Sequence, residues 1–296
     1  MTKKNLIITG TNGWLGRALV YLINNFYKND FNLICLSQSD SELKINEKIS
    51  VPLKNFYDPI KIDGETIIFH LAFLTKDKLN IVSKEKYIED NNRITETLTE
   101  VINNNQVCSL IYISSGAVYN NDNLYSFLKL KDEEFFKELC QKNNINLLIP
   151  RLFNIGGPYI NKHQAYALSN FILQSLEKNL IIINSKSPTY RSYIHVYDFL
   201  NICIKWSLDN NKSALYEFDT RGQEIIEMQE LAQLVSQNTN GCIIERDFIN
   251  KDAKADMFYG NITNQNFLTK KFNINIRSTN EIIIDTIRFI KNEYNL

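Results

Sequence analysis

Three glycines near the start of the chain constrain its fold more than any other feature. Gly10, Gly13 and Gly16 stand between an apolar run at residues 6–9 and a helical pattern at residues 15–26. The first glycine permits a tight turn, the second lets backbone approach a pyrophosphate, and the third lets helix and strand pack closely. The N-terminus of the helix then offers N–H groups and partial positive charge to phosphates. The spacing therefore predicts a dinucleotide-binding turn, held by Gly10, Asn12, Gly13, Trp14, Leu15, Gly16 and Arg17.

The end of the predicted second strand bears on which dinucleotide is bound. An acidic residue about twenty residues after the glycines normally accepts the hydroxyls of the adenosine ribose and repels a 2′-phosphate. This chain has Ser37 there, which removes that repulsion. Arg17 would supply positive charge to a 2′-phosphate, unless it is an ordinary solvated helix residue. The sequence therefore favours NADP over NAD.

Short apolar runs alternate with helical patterns through the first half of the chain. Such alternation predicts a parallel sheet covered by helices on both faces. The fold class is therefore α/β, with a Rossmann-type doubly wound parallel sheet. The predicted strands are residues 6–9, 33–36, 66–71, 110–114 and 147–152, and the predicted helices are residues 15–26, 83–103 and 124–142.

The alternation loosens after residue 153, where Gly156-Gly157-Pro158 marks a break. We predict an NAD(P)-binding Rossmann domain over residues 1–153. A smaller C-terminal α/β lobe for the substrate is predicted over residues 154–296, intertwined with the first. Its predicted helices are residues 166–178 and 280–292, and its predicted strands are residues 181–183, 192–196 and 215–218.

Charge and cysteine content argue against several classes of protein. The 33 basic and 33 acidic residues cancel, which gives no electrostatic reason to expect nucleic acid or an anionic membrane as partner. Five scattered cysteines and three histidines lack metal-like spacing, so no metal site is predicted. An odd number of cysteines fits free thiols in a reducing compartment. No signal peptide or run of about 18–20 apolar residues is found, and we expect a soluble cytoplasmic protein.

Two serines, a tyrosine and a lysine form a candidate catalytic group. Ser114 and Ser115 stand at the carboxyl end of a predicted strand, where doubly wound sheets place their chemistry. Ten residues after Ser115, Tyr125 and Lys129 lie four residues apart, on one face of a predicted helix. The tyrosine–lysine spacing becomes specific because the serines and a glycine-rich turn precede it.

These residues resemble the extended short-chain dehydrogenase/reductase superfamily, in its NAD-dependent epimerase/dehydratase branch. The resemblance covers nearly the whole chain and includes Phe69-His70-Leu71-Ala72 and Asn91 with Thr95. Residues 150–158 and 190–198 look like the "RLFNxxGP" and "RDYIHVxD" signatures of that branch. The resemblance implies an NAD(P)-dependent enzyme that acts on a nucleotide-diphosphate sugar.

The resemblance also implies a role for each catalytic side chain. Tyr125 would exchange a proton with a sugar oxygen while hydride moves to or from the nicotinamide. Lys129 would bring the tyrosine pKa, ordinarily about 10, nearer to working pH and would hold the nicotinamide ribose. Ser115 would hydrogen-bond the reacting oxygen. The cofactor would also contact Leu71, Ala72, Asn91, Tyr125 and Lys129.

Two residues of the second half would hold the substrate's diphosphate. These are Asn154 and Arg191, the latter through its planar fork of N–H donors. The structural alternative is that Arg191 pairs with Asp198 and only fixes the lobe. His195 is expected to be structural, Ser114 to support the strand end and Tyr119 to pack.

Three reactions share this machinery. A 4,6-dehydratase normally carries Asp-Glu directly after its catalytic Ser or Thr, where this chain has Gly116-Ala117, so dehydration is the least favoured. A 4-epimerase recycles a tightly held NAD, usually gripped by the acidic residue that Ser37 replaces. A 4-keto-sugar reductase exchanges its cofactor and commonly uses NADPH. Ser37 thus favours the reductase, with the epimerase as the alternative and a non-catalytic dinucleotide-binding regulator as a second alternative.

The predicted helix at residues 124–142 bears on assembly. Phe127, Leu128, Phe135 and Leu139 cannot all face one sheet from this helix. In this family, it and the helix at residues 83–103 often pair with their twofold copies, which predicts a homodimer. The stretch from Ser115 to Tyr125 is also shorter than usual in this branch, so either the cleft is more open or another segment closes it.

Overall fold

A computed structural model describes residues 3–120, 122–250 and 252–294. Strands and helices alternate through the first half, as predicted. The elements there are β1 (Lys4–Thr9), α1 (Trp14–Phe26), β2 (Phe31–Ser37), β3 (Ser41–Lys44), β4 (Ser50–Asn55), β5 (Thr66–His70), α2 (Lys84–Asn104), β6 (Val107–Tyr112), β7 (Ser114–Ser115), α3 (Leu124–Lys142) and β8 (Asn146–Leu152).

The second half has shorter strands between its helices. They are β9 (Asn154–Gly156), α4 (Ala167–Lys178), β10 (Leu180–Ile182), β11 (Thr189–Arg191), β12 (Tyr193–His195), α5 (Val196–Leu208), β13 (Leu215–Asp219), β14 (Ile226–Glu227), α6 (Met228–Asn238), β15 (Ile243–Glu245), β16 (Asp256–Phe258), α7 (Thr263–Phe272) and α8 (Thr279–Tyr294). Short 3-10 helices cover Lys76–Asn80 and Gly116–Tyr119.

The main sheet is mostly parallel and runs in the order β13-β8-β6-β5-β1-β2-β4-β3, with β7 paired to β8. Strand β1 is parallel to both β2 and β5, β6 is parallel to β5 and β8, and the short β3 is antiparallel to β4. From β1 the chain builds outward through β2 and then returns to add β5, β6 and β8 on the other side. This reversal beside β1 is the switch point at which doubly wound sheets bind their ligands, and it confirms the predicted fold class.

The chain divides into two compact units. One comprises Met1–Arg151 and Cys203–Glu217, and the other comprises Leu152–Ile202 and Phe218–Leu296. In the first unit, apolar side chains of α2 and α3 pack with those of the sheet in one core that includes Ile68, Leu98, Leu110 and Phe136. The second unit contains three small sheets, β14-β11-β16, β12-β9 and β10-β15.

Helices α1 to α4 were predicted to within a residue at each end and α8 to within two, whereas α5, α6 and α7 were missed. In α5, Phe199, Leu200, Ile204 and Trp206 are all buried, and only a narrow stripe that includes Tyr197, Asn201 and Lys205 is half-buried. A narrow stripe of this kind gives a weak 3.6-residue signal in the sequence. The helix also begins at Val196, directly after β12, so the strand pattern masked its start.

Candidate active site

The turn between β1 and α1 has no room for side chains at two of its glycines. Gly10 has φ +67°, and a Cβ there would lie 2.8 Å from the backbone nitrogen of Ala72. A Cβ on Gly16 would lie 2.4 Å from the carbonyl oxygen of Thr11. Gly13 stands at the N-cap of α1, where no side chain caps the helix. The turn therefore presents backbone and a helix N-terminus at the switch point, which suits a dinucleotide pyrophosphate.

Thr9 ties this turn to the segment after β5. Its hydroxyl oxygen accepts hydrogen bonds from the backbone N–H groups of Leu71 (3.1 Å) and Ala72 (3.2 Å). With those bonds received, the hydroxyl is free to donate to Nδ1 of His70 at 2.8 Å. Burial lowers the pKa of His70 to about 3, so the ring is neutral. The predicted cofactor residues Leu71 and Ala72 thus lie against Gly10.

Asn91 has a different part in this region. Its side-chain oxygen accepts the backbone N–H of Leu74 at 2.9 Å, and its amide nitrogen donates to the carbonyl oxygen of Tyr87 at 2.9 Å. Asn91 is buried on α2, and these bonds fix the segment after β5. A direct contact of Asn91 with cofactor remains a prediction.

The residues predicted to surround the adenosine ribose lie together. The Asn12 amide nitrogen donates to the Ser37 hydroxyl at 2.7 Å, and Nε of Arg17 donates to the Asn12 carbonyl oxygen at 3.2 Å. The first acidic residue after β2, Asp40, accepts the backbone N–H of Asn55 at 2.7 Å. Its carboxylate is therefore engaged with the end of β4.

Ser115 and Tyr125 lie close enough to interact. Ser115 accepts the backbone N–H of Ala117 at 3.2 Å, and its hydroxyl lowers the pKa of Tyr125. Asn123 and Ser126 form a capping box that fixes the first turn of α3, where Tyr125 stands. Burial raises the pKa of Tyr125, and the hydrogen bond from Ser115 opposes that rise.

The described contacts of the Lys129 ammonium are with Ile113, Phe73 and Tyr112. Its ammonium donates to the carbonyl oxygen of Ile113 at 2.8 Å and lies 3.9 Å from the ring centroid of Phe73 and 4.7 Å from that of Tyr112. Burial lowers the pKa of Lys129 to about 8. Ser115 opposes the rise in the pKa of Tyr125, and the effect of Lys129 on Tyr125 stays a prediction.

A second polar network supports the strand ends behind the serines. Ser114 donates to Glu133 at 2.5 Å, and the Arg151 guanidinium pairs with Glu133 at 2.6 Å and with Glu217 at 2.8 Å. Ser114 is thus the strand-end support that was predicted. Tyr119 is 57% exposed, and its hydroxyl accepts a hydrogen bond from Arg151, so the expectation that it packs is wrong.

The two predicted diphosphate residues lie near Phe258 in the second unit. The Asn154 amide donates to the Phe258 carbonyl oxygen at 2.8 Å, and the Arg191 guanidinium lies 5.9 Å from the Phe258 ring centroid. Arg191 pairs with Asp256 at 2.7 Å, because β11 and β16 are hydrogen-bonded neighbours. The alternative pairing with Asp198 is therefore wrong.

Asp198 belongs to a different group of buried polar side chains. It pairs with Arg277, both through the guanidinium and through the backbone N–H at 2.8 Å. His195 lies beside them, with Nδ1 accepting the N–H of Tyr197 at 3.1 Å and Nε2 lying 3.3 Å from the Asp285 carboxylate. His195 is fully buried and fixes the start of α5, as expected of a structural residue.

Three residues around the candidate site were not predicted: Phe73, Tyr112 and Asp132. Asp132 follows Lys129 by three residues, so helix geometry alone could have placed it on the same side of α3. Phe73 offers no such signal, because its contacts with Lys129 and Tyr125 depend on the path of the chain after β5.

Within the described parts of the chain, no helix is long and apolar enough to cross a membrane. Those same residues contain no group of three or more His, Cys, Asp or Glu side chains arranged to hold a metal ion.

The geometry of the glycine turn and the Ser-Tyr-Lys group agrees with the comparison of the sequence with protein families. The NAD dependent epimerase/dehydratase family matches residues 6–215, and the chain belongs to that family. This confirms the resemblance seen in the motifs. A search of curated protein sequences finds no match.

Solved structures of the same fold cover essentially the whole chain. UDP-N-acetylglucosamine 4-epimerase from Methanobrevibacter ruminantium is similar with a TM-score of 0.76 and 19% identity, covering 99% of this chain and 100% of its own. UDP-glucuronic acid 4-epimerase from Bacillus cereus gives 0.74 and 15%, covering 98% and 100%. dTDP-glucose 4,6-dehydratase from Bacillus anthracis gives 0.72 and 13%, covering 99% and 98%.

Proposed function

We propose that the protein is a nucleotide-sugar 4-epimerase that works with a tightly held nicotinamide dinucleotide. The observation that supports this proposal is the proximity of Ser115, Tyr125 and the buried Lys129. The Ser115 hydroxyl lowers the pKa of Tyr125, and the Phe73 ring contacts both Tyr125 and Lys129. A bound nicotinamide dinucleotide would supply the hydride acceptor and donor. Two of the three solved structures described above are named as 4-epimerases of UDP-sugars.

Residues of the chain would transfer the proton to and from the sugar. Tyr125 would accept the proton of the sugar hydroxyl and later return it, and Ser115 would hydrogen-bond the same oxygen. A positive charge on Lys129 would stabilise the tyrosinate electrostatically. Tyr125 would hold the proton between the two steps, since an epimerase returns it to the sugar in the same cycle.

The positions directly after Ser115 argue against dehydration. A 4,6-dehydratase needs an additional acid and base there. Here Gly116 and Ala117 begin a 3-10 helix, and neither carries an ionisable group. Glu133, the carboxylate nearest to Ser114, is committed to Arg151. We therefore place dehydration outside the proposed function.

The substrate would be anchored by its diphosphate in the second unit. Arg191 offers a planar fork of donors, and its partner Asp256 is 55% exposed, so the pair is weakly held and open to competition. A diphosphate carries more negative charge than one carboxylate and matches the same fork. Asn154 would add an amide beside it.

A reductase of 4-keto sugars is the second candidate, and Ser37 is the observation that favours it. The Ser37 hydroxyl is bonded to Asn12, with Arg17 beside them, and no carboxylate of this group would repel a 2′-phosphate. Preference for NADPH would follow from that arrangement. Such a reductase would exchange its cofactor at every turnover.

One experiment separates these candidates. One portion of the purified protein is denatured and assayed for released NAD(P)(H). A second portion is kept native and incubated with UDP-hexoses without added cofactor. We expect bound dinucleotide and conversion of a UDP-sugar to its 4-epimer, detected by NMR. An empty protein that consumes NADPH only with a 4-keto sugar would replace the epimerase by the reductase. Inactivity in both assays, with dinucleotide still bound, would indicate the non-catalytic regulator.

We further propose a homodimer formed through α2 and α3. Phe127 and Phe135 on α3 are 54% and 39% exposed, whereas Leu128 on the same helix is buried. Two exposed phenylalanines on one helix are a poor match for water and a good match for a twofold copy. Light scattering at micromolar concentration should give twice the chain mass of 34.5 kDa. A monomer mass for the unmodified protein would contradict this interface. A dimer mass for the double variant Phe127→Ser/Phe135→Ser would contradict it as well.

A further inference from the structure

The ammonium group of Lys129 is buried away from solvent. The residue is only 5% exposed, and its polar contact is the carbonyl oxygen of Ile113. The rings of Phe73 and Tyr112 cover other sides of the nitrogen. Burial favours the neutral amine, which explains why the pKa of Lys129 falls to about 8. A lysine that must stay charged in such a place needs a buried negative partner.

Two carboxylates on α3 are candidates for that partner, Asp132 and Glu133. Glu133 receives three hydrogen bonds from the Arg151 guanidinium and one from Ser114, and it raises the pKa of Lys129 less than Asp132 does. Asp132 is only 6% exposed, and the positive charge that acts on it most strongly is that of Lys129. Asp132 is therefore the carboxylate with the larger effect on Lys129, and Glu133 is second.

Asp132 is held by hydroxyl groups of two other elements. The Thr95 hydroxyl on α2 lies 3.3 Å from both carboxylate oxygens, and the Tyr112 hydroxyl on β6 lies 3.3 Å from one of them. Burial raises the pKa of Asp132, and Lys129, Thr95 and Tyr112 all oppose that rise. The carboxylate and the ammonium thus each favour the charged form of the other.

Tyr112 connects the two charges. Its hydroxyl faces Asp132, while the face of its ring lies 4.7 Å from the Lys129 nitrogen. A phenol that donates a hydrogen bond to a carboxylate gains electron density in its ring, which strengthens its attraction for a cation. Burial keeps Tyr112 itself neutral by raising its pKa.

The other titratable groups near Lys129 supply less negative charge than Asp132 or none. His70, whose ring stacks on Tyr112 with centroids 5.9 Å apart, is neutral because its pKa is lowered to about 3. Tyr125 on α3 has a raised pKa and is neutral before the reaction. Glu133 raises the pKa of Lys129 less than Asp132 does, and it also pairs with Arg151.

We propose that Asp132 is a positioning residue whose buried carboxylate, held by Thr95 and Tyr112, maintains the ammonium form of Lys129. The consequence for catalysis rests on the proposed function, because a charged Lys129 is what stabilises the Tyr125 tyrosinate. The charge state itself does not depend on which sugar the protein converts.

The test is a titration of Lys129 by NMR in protein labelled with ¹³C at the lysine ε-carbons. The signal is assigned as the one missing from Lys129→Met. In Asp132→Asn the titration midpoint should fall by one pH unit or more, a tenfold loss of proton affinity. Glu134→Gln removes a mostly exposed carboxylate from the same helix and should leave the midpoint unchanged. An unmoved midpoint in Asp132→Asn, or an equal fall in Glu134→Gln, would overturn the proposal.

Two milder variants decide the matter if Asp132→Asn does not fold. Thr95→Val and Tyr112→Phe each remove one hydroxyl from Asp132 and keep the shape of the side chain. Each should lower the midpoint by a smaller amount, and no fall in either would refute the role of Asp132. If the protein proves to be an epimerase, its activity should be lost as pH rises through the Lys129 pKa. In Asp132→Asn that loss should begin at lower pH, and KM for the sugar should be unchanged. Because the titration needs no turnover, it remains decisive if the proposed reaction is wrong.

Discussion

Replacing Gly16 by alanine tests whether the β1–α1 turn is the dinucleotide site. The added methyl group would lie 2.4 Å from the Thr11 carbonyl oxygen, 2.6 Å from the Thr11 Cα and 2.7 Å from the Gly10 carbonyl oxygen. All three are backbone atoms, and ordinary van der Waals contact begins about 1 Å further out. The first turn of α1 must therefore move away from the end of β1.

The size of the effect follows from the cost of overpacking, about 1–3 kcal/mol. If the strain opposes dinucleotide binding, the Kd of the dinucleotide rises by about 5- to 150-fold, since about 1.4 kcal/mol corresponds to a factor of ten. If the strain also destabilises the protein without dinucleotide, its Tm drops by about 2–4 °C per kcal/mol. Calorimetric titration of NAD and NADPH, after removal of any bound dinucleotide, measures the first effect. Thermal unfolding followed by circular dichroism measures the second.

Gly241 provides a matched control. It has φ +75°, but a Cβ there would meet nothing within 4 Å. Gly241→Ala should cost some stability through its left-handed backbone and leave dinucleotide affinity unchanged. If Gly16→Ala binds both dinucleotides within twofold of the unmodified protein, the reasoning that places the pyrophosphate at this turn is wrong.

Three further substitutions test the other parts of the site. Tyr125→Phe keeps the edge-to-face contact with Phe73 and removes the proposed acid–base group, so turnover should fall by about 10² or more; near-normal turnover would remove Tyr125 from the mechanism. Ser37→Asp should shift the ratio of NADH to NADPH affinity at least tenfold towards NADH, because a carboxylate repels the 2′-phosphate; fluorescence titration at low salt would show an unchanged ratio if Ser37 lies away from the ribose. Arg191→Ala should weaken binding of free UDP by about 10–10³-fold, because each hydrogen bond to a charged group contributes about 1.5–3 kcal/mol; equal affinity of variant and unmodified protein would show that the diphosphate binds elsewhere.

The parts of the site that could be predicted are those in which neighbours in sequence act together. The glycine turn is one, because a single βα unit contains the strand end, the turn and the helix N-terminus. The Tyr125–Lys129 spacing is another, since one helix fixes both. The contact of Ser115 with Tyr125 follows from a short connection between β7 and α3. In each case local geometry determines the arrangement.

The parts that could not be predicted depend on pairings far apart in the chain. Arg191 meets Asp256, 65 residues away, because β11 and β16 become neighbours in a small sheet. From the sequence, the nearby Asp198 was the alternative partner, yet Asp198 pairs with Arg277, 79 residues away. The surroundings of Lys129 likewise combine α3, β6 and the segment after β5. Only the folded chain decides which of several possible charges meet.

The division of the first unit into two stretches of chain has a consequence for how the protein is made. Strand β13 lies at the edge of the main sheet beside β8, and its residues follow an inserted stretch, Leu152–Ile202, that belongs to the second unit. On the ribosome, residues up to Arg151 emerge well before the strand that covers the edge of β8. At about 5–20 residues per second, that delay lasts roughly 3–13 s. During it, the buried apolar residues of β8, including Leu147, Leu148 and Ile149, border an open sheet edge of the kind that recruits other strands. Nascent chains of this protein should therefore depend on chaperones mainly while the stretch between Arg151 and Glu217 is being synthesised.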